Sequence, residues 1–328
     1  MTPPLLGGTS VLVLGASGFI GSWVCRSAAN HGAIVTAAAR DPAALAGRLR
    51  RMGVEAQSVG ADLAEPGSAG KLLGRVLPAC VLNLIGYGVD RDERDEQAAQ
   101  RLNADLVEEL GLAVHELRDR LPQWHGARLV HLGSAFEYGS VSGRVPETTT
   151  CRPTTTYGRS KLEGTRRLSA LRDRTGLPAV TARVATVYGP GEHPHRLLPS
   201  LIRASQTRET LSLTAGEQER DFTFVEDVAD GVARIAAVPP AHPVVNLATG
   251  RLQTVRAFAS CARDMLGIPP DRVIFGALPY RPDEVWQGEI DVDRLATSVG
   301  WKPAISVPDG VPRTIEWKRK ERSDGDQP

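Results

Sequence analysis

Apolar and polar positions fall into blocks along the first 190 residues, and the period changes from block to block. Short continuous apolar runs separate longer stretches in which apolar residues recur every three or four positions. A run such as Val11 to Leu14 is too short for a helix and reads as a strand buried on both faces, whereas Phe19 to Ala29 carries the helical period. On this basis strands are expected near 10–14, 33–39, 54–60, 80–85, 127–133 and 178–186. The clearest helical patterns cover Gln97 to Leu121 and Tyr157 to Thr175. Such alternation specifies an α/β fold with a doubly wound parallel sheet, whose ligand sits at the carboxyl ends of the strands. Beyond Gly191 the blocks shorten and become rich in Pro, Arg and Gly, with one return to the sheet expected at Val244 to Leu247. No internal repeat is visible.

The first strand runs directly into Gly15-Ala16-Ser17-Gly18-Phe19-Ile20-Gly21, and a helical pattern follows at once. Strand, glycine turn and helix in that order place backbone N–H groups and a positive helix end where a pyrophosphate can sit. A glycine triplet alone can be no more than a tight turn; its position between strand and helix makes it a dinucleotide cradle of the Rossmann type. Tyr157-Gly158-Arg159-Ser160-Lys161 sets a phenol and an ammonium four residues apart, on one face of any helix containing them. By itself that spacing is common on solvated helices. Together the two motifs are the equipment for hydride transfer to or from a carbonyl.

At this point the chain resembles the extended short-chain dehydrogenase/reductase family, the NAD-dependent epimerase/dehydratase type. Further segments carry the resemblance: Asp62-Leu63 after the third strand, Asn83-Leu84-Ile85-Gly86 after the fourth, and His131-Leu132-Gly133-Ser134 with Tyr138-Gly139 after the fifth. Arg183 to Gly191, Arg220 to Ala229, Asn246 to Gly250 and Gly300-Trp301-Lys302-Pro303 match later landmarks, so the resemblance spans about residue 9 to about residue 317. It implies a catalytic set of Ser134, Tyr157 and Lys161. It implies cofactor contacts from Gly15, Ser17, Gly18, Phe19, Ile20, Gly21, Arg40, Asp62, Leu63, Leu84, Ile85, Gly86, Asn103, Tyr157, Lys161 and Val184. Phe136, Thr186, Arg220 and Arg281 are the implied substrate contacts, the two arginines holding a diphosphate by bidentate donation. The competing reading of these arginines is a pair of structural salt bridges to Glu226, Asp227 or Asp283. The expected organisation is a dinucleotide-binding domain over 1–190 with a return near 220–260, a smaller C-terminal substrate-binding lobe over 191–317, and a disordered polar tail over 318–328.

Composition narrows the picture. Hydrophobic residues make up 41% of 328, enough for a real core, and a formal charge of +1 gives no reason to expect nucleic acid or a membrane as partner. Cys25, Cys80, Cys151 and Cys261 show no paired spacing, so reduced thiols in a cytoplasmic protein are expected, with no disulfide frame and no metal site. The beginning of the chain lacks a basic signal-type region, and the run Val11 to Cys25 is too short and glycine-broken to cross a bilayer.

Cofactor preference turns on the tip of the second strand, where NAD-preferring enzymes carry an acid for the ribose 2′-hydroxyl. Here the strand ends Ala39-Arg40-Asp41. Losing the acid and gaining a guanidinium favours the 2′-phosphate of NADP; the alternative keeps Arg40 on the surface and gives Asp41 the acidic task. In the expected chemistry Lys161 and the positive nicotinamide of the oxidised cofactor together lower the pKa of the Tyr157 phenol, which in the reducing direction donates its proton to a carbonyl oxygen held by Ser134. Elimination, decarboxylation and C3/C5 epimerisation need a second acid or base, and the two positions after Ser134 are Ala135 and Phe136. What remains is NADPH-dependent reduction of a ketone, the 4-keto group of a nucleotide-diphospho-6-deoxysugar leading. A sugar-nucleotide 4-epimerase, a reductase of a non-sugar polyketide or terpenoid carbonyl, and a non-catalytic NADP-sensing protein stay open. A homodimer through the helices over Gln97 to Leu121 and Tyr157 to Thr175 is the expected assembly.

Overall fold

The computed structural model describes residues 4–89 and 93–325. Five strands and their crossover helices come first: β1 (Ser10–Leu14), α1 (Phe19–Asn30), β2 (Ile34–Ala39), α2 (Pro42–Arg51), β3 (Gln57–Gly60), α3 (Ser68–Val76), β4 (Cys80–Asn83), α4 (Glu96–Gln100), α5 (Leu106–Glu116) and β5 (Leu129–Ser134). A two-residue β6 (Arg144–Val145) precedes α6 (Thr156–Thr175), β7 (Ala179–Val184) and β8 (Thr186–Tyr188). The remainder alternates smaller pieces: α7 (Leu197–Thr207), β9 (Leu211–Leu213), β10 (Glu219–Phe224), α8 (Val225–Ala237), β11 (Val244–Leu247), β12 (Leu252–Thr254), α9 (Val255–Met265), β13 (Val273–Phe275), β14 (Glu289–Ile290), α10 (Asp293–Val299) and α11 (Val307–Gly325).

Seven of these strands form one sheet in the order β11-β7-β5-β4-β1-β2-β3, with every neighbouring pair parallel. Along β1, Val11 and Val13 pack into the layer that holds Trp23 and Val24 of α1 and Val228 and Val232 of α8. Leu12 and Leu14 pack into the opposite layer with Leu72 and Leu73 of α3, Leu106 and Leu110 of α5 and Leu168 of α6. Both faces of the sheet are therefore buried, which is why its strands are written as unbroken apolar runs and not as alternation. The strand order reverses between β1 and β4, and there the loops leaving the two strands touch. A Cβ on Gly15 would lie 3.1 Å from the backbone of Leu84 and Ile85, and Gly15 has φ +73°. Only glycine fits both demands.

Three expectations are corrected. The strand read over 178–186 ends at Val184; after Ala185 the chain enters β8, which pairs with β10 in a second, three-stranded sheet β12-β10-β8. Tyr188, Phe222, Phe224 and Phe258 fill the core behind that sheet, Phe222 stacking on Phe258 at 4.1 Å. The helix read over Gln97 to Leu121 is α4 and α5 joined by a π-helical turn, Arg101–Asp105, and it ends at Glu116. Gly164 of α6 makes the close approach to that turn possible, since a Cβ there would sit 2.0 Å from Asn103 O. The tail expected to be disordered over 318–328 is helical through Gly325, and 326–328 lie outside the described residues. Ion pairs Lys318–Glu321 and Glu316–Lys320, at helical spacing, turn what reads as a charge run into a solvated helix face.

All four cysteines are free. Among the described residues no helix is long and apolar enough to cross a membrane, and no cluster of metal-ligating side chains occurs.

Candidate active site

The glycine turn is shaped for a dinucleotide. Ser17 and Gly18 are exposed at its tip, and Gly18 caps α1 without any side-chain hydrogen bond, leaving the first-turn N–H groups of the helix facing the cleft. A Cβ on Gly21 would fall 2.0 Å from Gly15 O, so the third glycine lets helix and turn close on each other. Arg48 of α2, not singled out in the sequence, braces the turn by donating to Ser17 O at 2.9 Å and to Ser22 Oγ at 3.2 Å. At the tip of β2, Arg40 is exposed. Asp41 caps α2: its Oδ1 accepts from the N–H groups of Ala43 and Ala44 at 3.1 and 3.0 Å. That commits Asp41 to the helix and weighs against its serving a ribose hydroxyl.

Asp62 is exposed beyond β3, its Oδ1 accepting from Ala64 N, with Leu63 buried beside it. Arg101 of the π turn donates to the carbonyl oxygens of Leu63, Ala64 and Glu65, clamping this loop. Two residues assigned to the cofactor from sequence lie behind the cleft wall instead. Asn103 is fully buried; it brackets the Tyr87 backbone, donating to O at 2.8 Å and accepting from N at 3.0 Å, and donates to Ser160 Oγ. Val184 packs its side chain into the sheet core. Both side chains are buried among protein groups.

Ser134, Tyr157 and Lys161, the set expected to be catalytic, come together at the carboxyl ends of β4 and β5. Thr155 caps α6 through its Oγ1, which accepts from Gly158 N, and so sets Tyr157 and Lys161 in the first two turns. Lys161 is buried, its Nζ donating to Ile85 O and Leu132 O at 3.0 Å each. Burial pushes this lysine down to about 8, with the charge of Glu137 acting the other way. Desolvation pushes the Tyr157 phenol up to about 12, against a hydrogen bond with Ser134 and the charge of Arg196. The protein's own groups leave the phenol above its ordinary value, and the expected lowering calls on the charge of an oxidised nicotinamide as well as that of Lys161. The ammonium is bound to main-chain carbonyls, and the groups that favour the phenolate are Ser134 and Arg196. Ser134 also plays its local part at the strand end, its Oγ accepting from Phe136 N at 3.2 Å.

Phe136 links this set to the substrate side. Its ring meets Tyr157 edge-on at 6.1 Å, and the guanidinium of Arg220 lies 5.9 Å from its centroid. Arg220 is an ion-pair partner here, donating to Glu284 Oε1 at 2.5 Å and to Val285 O at 2.6 Å, with side chains only 10% and 15% exposed. The salt-bridge reading of Arg220 is the one the geometry shows, with Glu284 as partner and not Glu226, Asp227 or Asp283. Arg281 is exposed, three residues before Glu284 on the same turn. Thr186 opens β8 opposite Phe222.

Two acidic residues went unrecognised in the sequence, and nothing in a single chain marks them, because both look like ordinary surface acids. Glu137 is wholly buried, paired with Arg183 at 2.7 Å. Glu192, in the loop after β8, is 6% exposed, holds Arg196 Nε at 3.3 Å through Oε1, and leaves Oε2 buried with no hydrogen-bond partner. Burial raises the Glu192 carboxyl to about 7 despite the pull of Arg196.

Comparison with known proteins agrees with this geometry. A family model described as the NAD dependent epimerase/dehydratase family matches residues 11–248. The chain is 31% identical to dTDP-6-deoxy-L-talose 4-dehydrogenase (NAD(P)(+)) of Kitasatospora kifunensis, over 95% of this chain and 96% of that protein. It is 26% identical to a dTDP-glucose 4,6-dehydratase of Xanthomonas campestris pv. campestris, over 93% and 92%. Among solved structures, MoeE5 in complex with UDP-glucose and NAD superimposes with a TM-score of 0.81 at 27% identity, covering 95% of this chain and 99% of that one.

Glu192 makes a pH prediction. Its native carboxyl is raised from 4.5 to about 7, so between those values the folded state binds more protons than the unfolded state, and stability falls as pH rises through that window. Glu192→Gln removes this loss. Thermal unfolding should show the variant matching the parent near pH 5 and gaining on it by up to about 3 kcal/mol near pH 8. A difference that does not depend on pH would refute the assignment.

Proposed function

The chain belongs to the NAD dependent epimerase/dehydratase family, and on that footing we propose that it is an NADPH-dependent reductase of a ketone, the 4-keto group of a nucleotide-diphospho-6-deoxysugar. The observation that carries this reading is the assembled Ser134, Tyr157 and Lys161 set with apolar Ala135 and Phe136 in the next two positions. The name of the Kitasatospora relative, a 4-dehydrogenase of a dTDP-6-deoxysugar, supports it.

The glycine turn, the loop Leu84 to Gly86 and Arg40 would hold the dinucleotide, which supplies the hydride when bound. Tyr157 donates its proton to the carbonyl oxygen, and its high pKa in this site keeps that proton in place at neutral pH. Ser134 fixes the same oxygen. Lys161 keeps the loop after β4 and the end of β5 closed on α6 through its two carbonyl bonds. Arg220 and Arg281 would take the diphosphate, Arg220 exchanging Glu284 for phosphate oxygens of higher charge. Tyr157→Phe should lower turnover of a 4-keto-6-deoxy sugar nucleotide about 100-fold with cofactor affinity nearly intact. Free UDP or TDP should compete in the parent and cease to do so in Arg220→Ala and Arg281→Ala. Absence of any such competition at millimolar concentration favours a non-sugar ketone. A 4-epimerase, the alternative reading, would instead interconvert the alcohol epimers without net consumption of NADPH.

Preference for NADPH rests on exposed Arg40 and on the capping role of Asp41. Arg40→Ala should weaken NADPH by about 2 kcal/mol, roughly thirtyfold, and leave NADH nearly unchanged; equal losses for both cofactors would overturn it. Assembly as a homodimer is proposed through α5 and α6, which pack closely at Gly111 and leave Leu112 exposed. Sedimentation at micromolar concentration should give twice the chain mass, and a monomer there would exclude this interface.

A further inference from the structure

Lys161 poses an electrostatic problem that its own hydrogen bonds do not solve. Its residue is 3% exposed, and its two bonded acceptors, Ile85 O and Leu132 O, are neutral. An ammonium taken out of water against neutral acceptors tends to lose its proton. The carboxylate that acts on it is Glu137, which sits on neither its helix nor the loops it bonds.

We infer that Glu137 is a positioning residue of the active site, supplying the fixed negative charge that keeps Lys161 an ammonium and pinning the main chain of Ser134. This rests on the reading of Tyr157 and Lys161 as the carbonyl-reducing pair.

The geometry is that of a held charge. Glu137 has no solvent exposure; Oε1 accepts from Ser134 N at 2.9 Å, and Oε2 accepts from Arg183 Nε at 2.7 Å. The first bond closes a capping box over one short turn, in which Ser134 Oγ accepts from the main chain while the carboxylate three residues on reaches back to Ser134 N. The catalytic serine and the carboxylate are thereby fixed to each other. Gly133 makes the room, since a Cβ there would lie 2.5 Å from Glu137 Oε1. Arg183 is itself immobilised, 4.6 Å over the Tyr138 ring, and the Tyr138 hydroxyl donates to Asn246 Oδ1 at 2.6 Å.

Stability offers a weak reason for this pair. Two buried charges roughly break even against apolar residues of the same volume, so the arrangement invites a functional explanation. Glu137 contacts Arg183 directly, and its charge also acts on Lys161, Tyr157 and Cys151; Lys161 bonds Leu132 O two residues before the Ser134 N–H that Glu137 holds. Lys161 faces Glu137 and the buried His131, whose pKa lies well below 6.5 through burial and the lysine's own charge. The Glu137 charge raises the pKa of Lys161 and Tyr157 alike. It therefore favours the doubly protonated state, the one from which Tyr157 can give a proton to a carbonyl.

The chain has five lysines, and the other four, Lys71, Lys302, Lys318 and Lys320, are all exposed. Carbon-13 labelling at lysine Cε thus gives five NMR signals, and Lys161→Met identifies the buried one by its loss. In the parent that signal should titrate near pH 8, well below the other four. In Glu137→Gln its midpoint should fall by about one pH unit, and in Glu163→Gln, an exposed-pair control on the same helix, it should stay. Should Glu137→Gln leave Arg183 uncompensated and fail to fold, Glu137→Gln/Arg183→Met removes both charges and should show a smaller fall in the same direction, because the nearer carboxylate oxygens outweigh the guanidinium behind them. An unmoved Lys161 midpoint in either folded variant overturns the inference. The titration needs no substrate, so it stands or fails apart from the proposed reaction; if the reaction is also right, the alkaline limb of kcat/KM moves down with the NMR midpoint.

Discussion

Lys161 is the point at which three parts of the molecule are tied: the loop after β4 through Ile85 O, the end of β5 through Leu132 O, and α6, which carries the lysine itself. A buried ammonium has three donors in a compact head, and here two of them close the gap between neighbouring strand ends. Gly86 passes close by because it has no side chain; a Cβ there would sit 3.3 Å from the lysine Nζ. The crevice for a dinucleotide opens beside this tie, where β1 and β4 are neighbours and the strand order reverses. Removing the lysine would therefore cost more than a charge. It would free the walls of the cleft.

Around the tie lies a set of buried and half-buried ionic groups whose sign alternates outward. Glu137 balances Lys161 on one side and Arg183 on the other. Across Phe136, Arg220 is matched by Glu284, and Arg196 by Glu192. Arg196 acts on both Tyr157 and Arg220, so the two halves of the site are electrostatically joined even though their side chains come from different lobes. In a low-dielectric interior such coupling is worth more than it is at a surface, and Arg220 and Arg196 each keep a carboxylate of the protein itself.

The parallel sheet was legible in the chain because burial on both faces writes its strands as continuous apolar runs, and because glycines at 15, 18 and 21 can serve few purposes after a strand. Tyr157, Lys161 and Ser134 were singled out through the family resemblance, since a Tyr–Lys spacing alone is common on solvated helices and a serine at a strand end is commonly a cap. The misses have a common cause. Whether α4 continues into α5 through a π turn depends on Gly164 admitting the Asn103 carbonyl, and Gly164 lies 61 positions further on. Whether Glu137 is buried depends on Arg183, and whether Asp41 is a cap or a ligand depends on how α2 begins. Each is settled by a partner distant in sequence or by a backbone angle, and neither leaves a periodic trace.

The distinction matters most for charged residues, where sequence reading defaults to solvent exposure. Glu137 sits in Ser134-Ala135-Phe136-Glu137-Tyr138, a segment that reads locally as a helix start with its reciprocal cap. That local function is real, yet the same carboxylate also lies within the field of the catalytic pair. Local propensity explains why glutamate is tolerated at the turn; only the packing of β5 against β7 brings Arg183 to it and removes the water. A single residue thus satisfies a capping rule at one oxygen and an electrostatic requirement at the other, and the second is invisible until the sheet is assembled. The fold places the charge, and the charge sets which protons the site can hold.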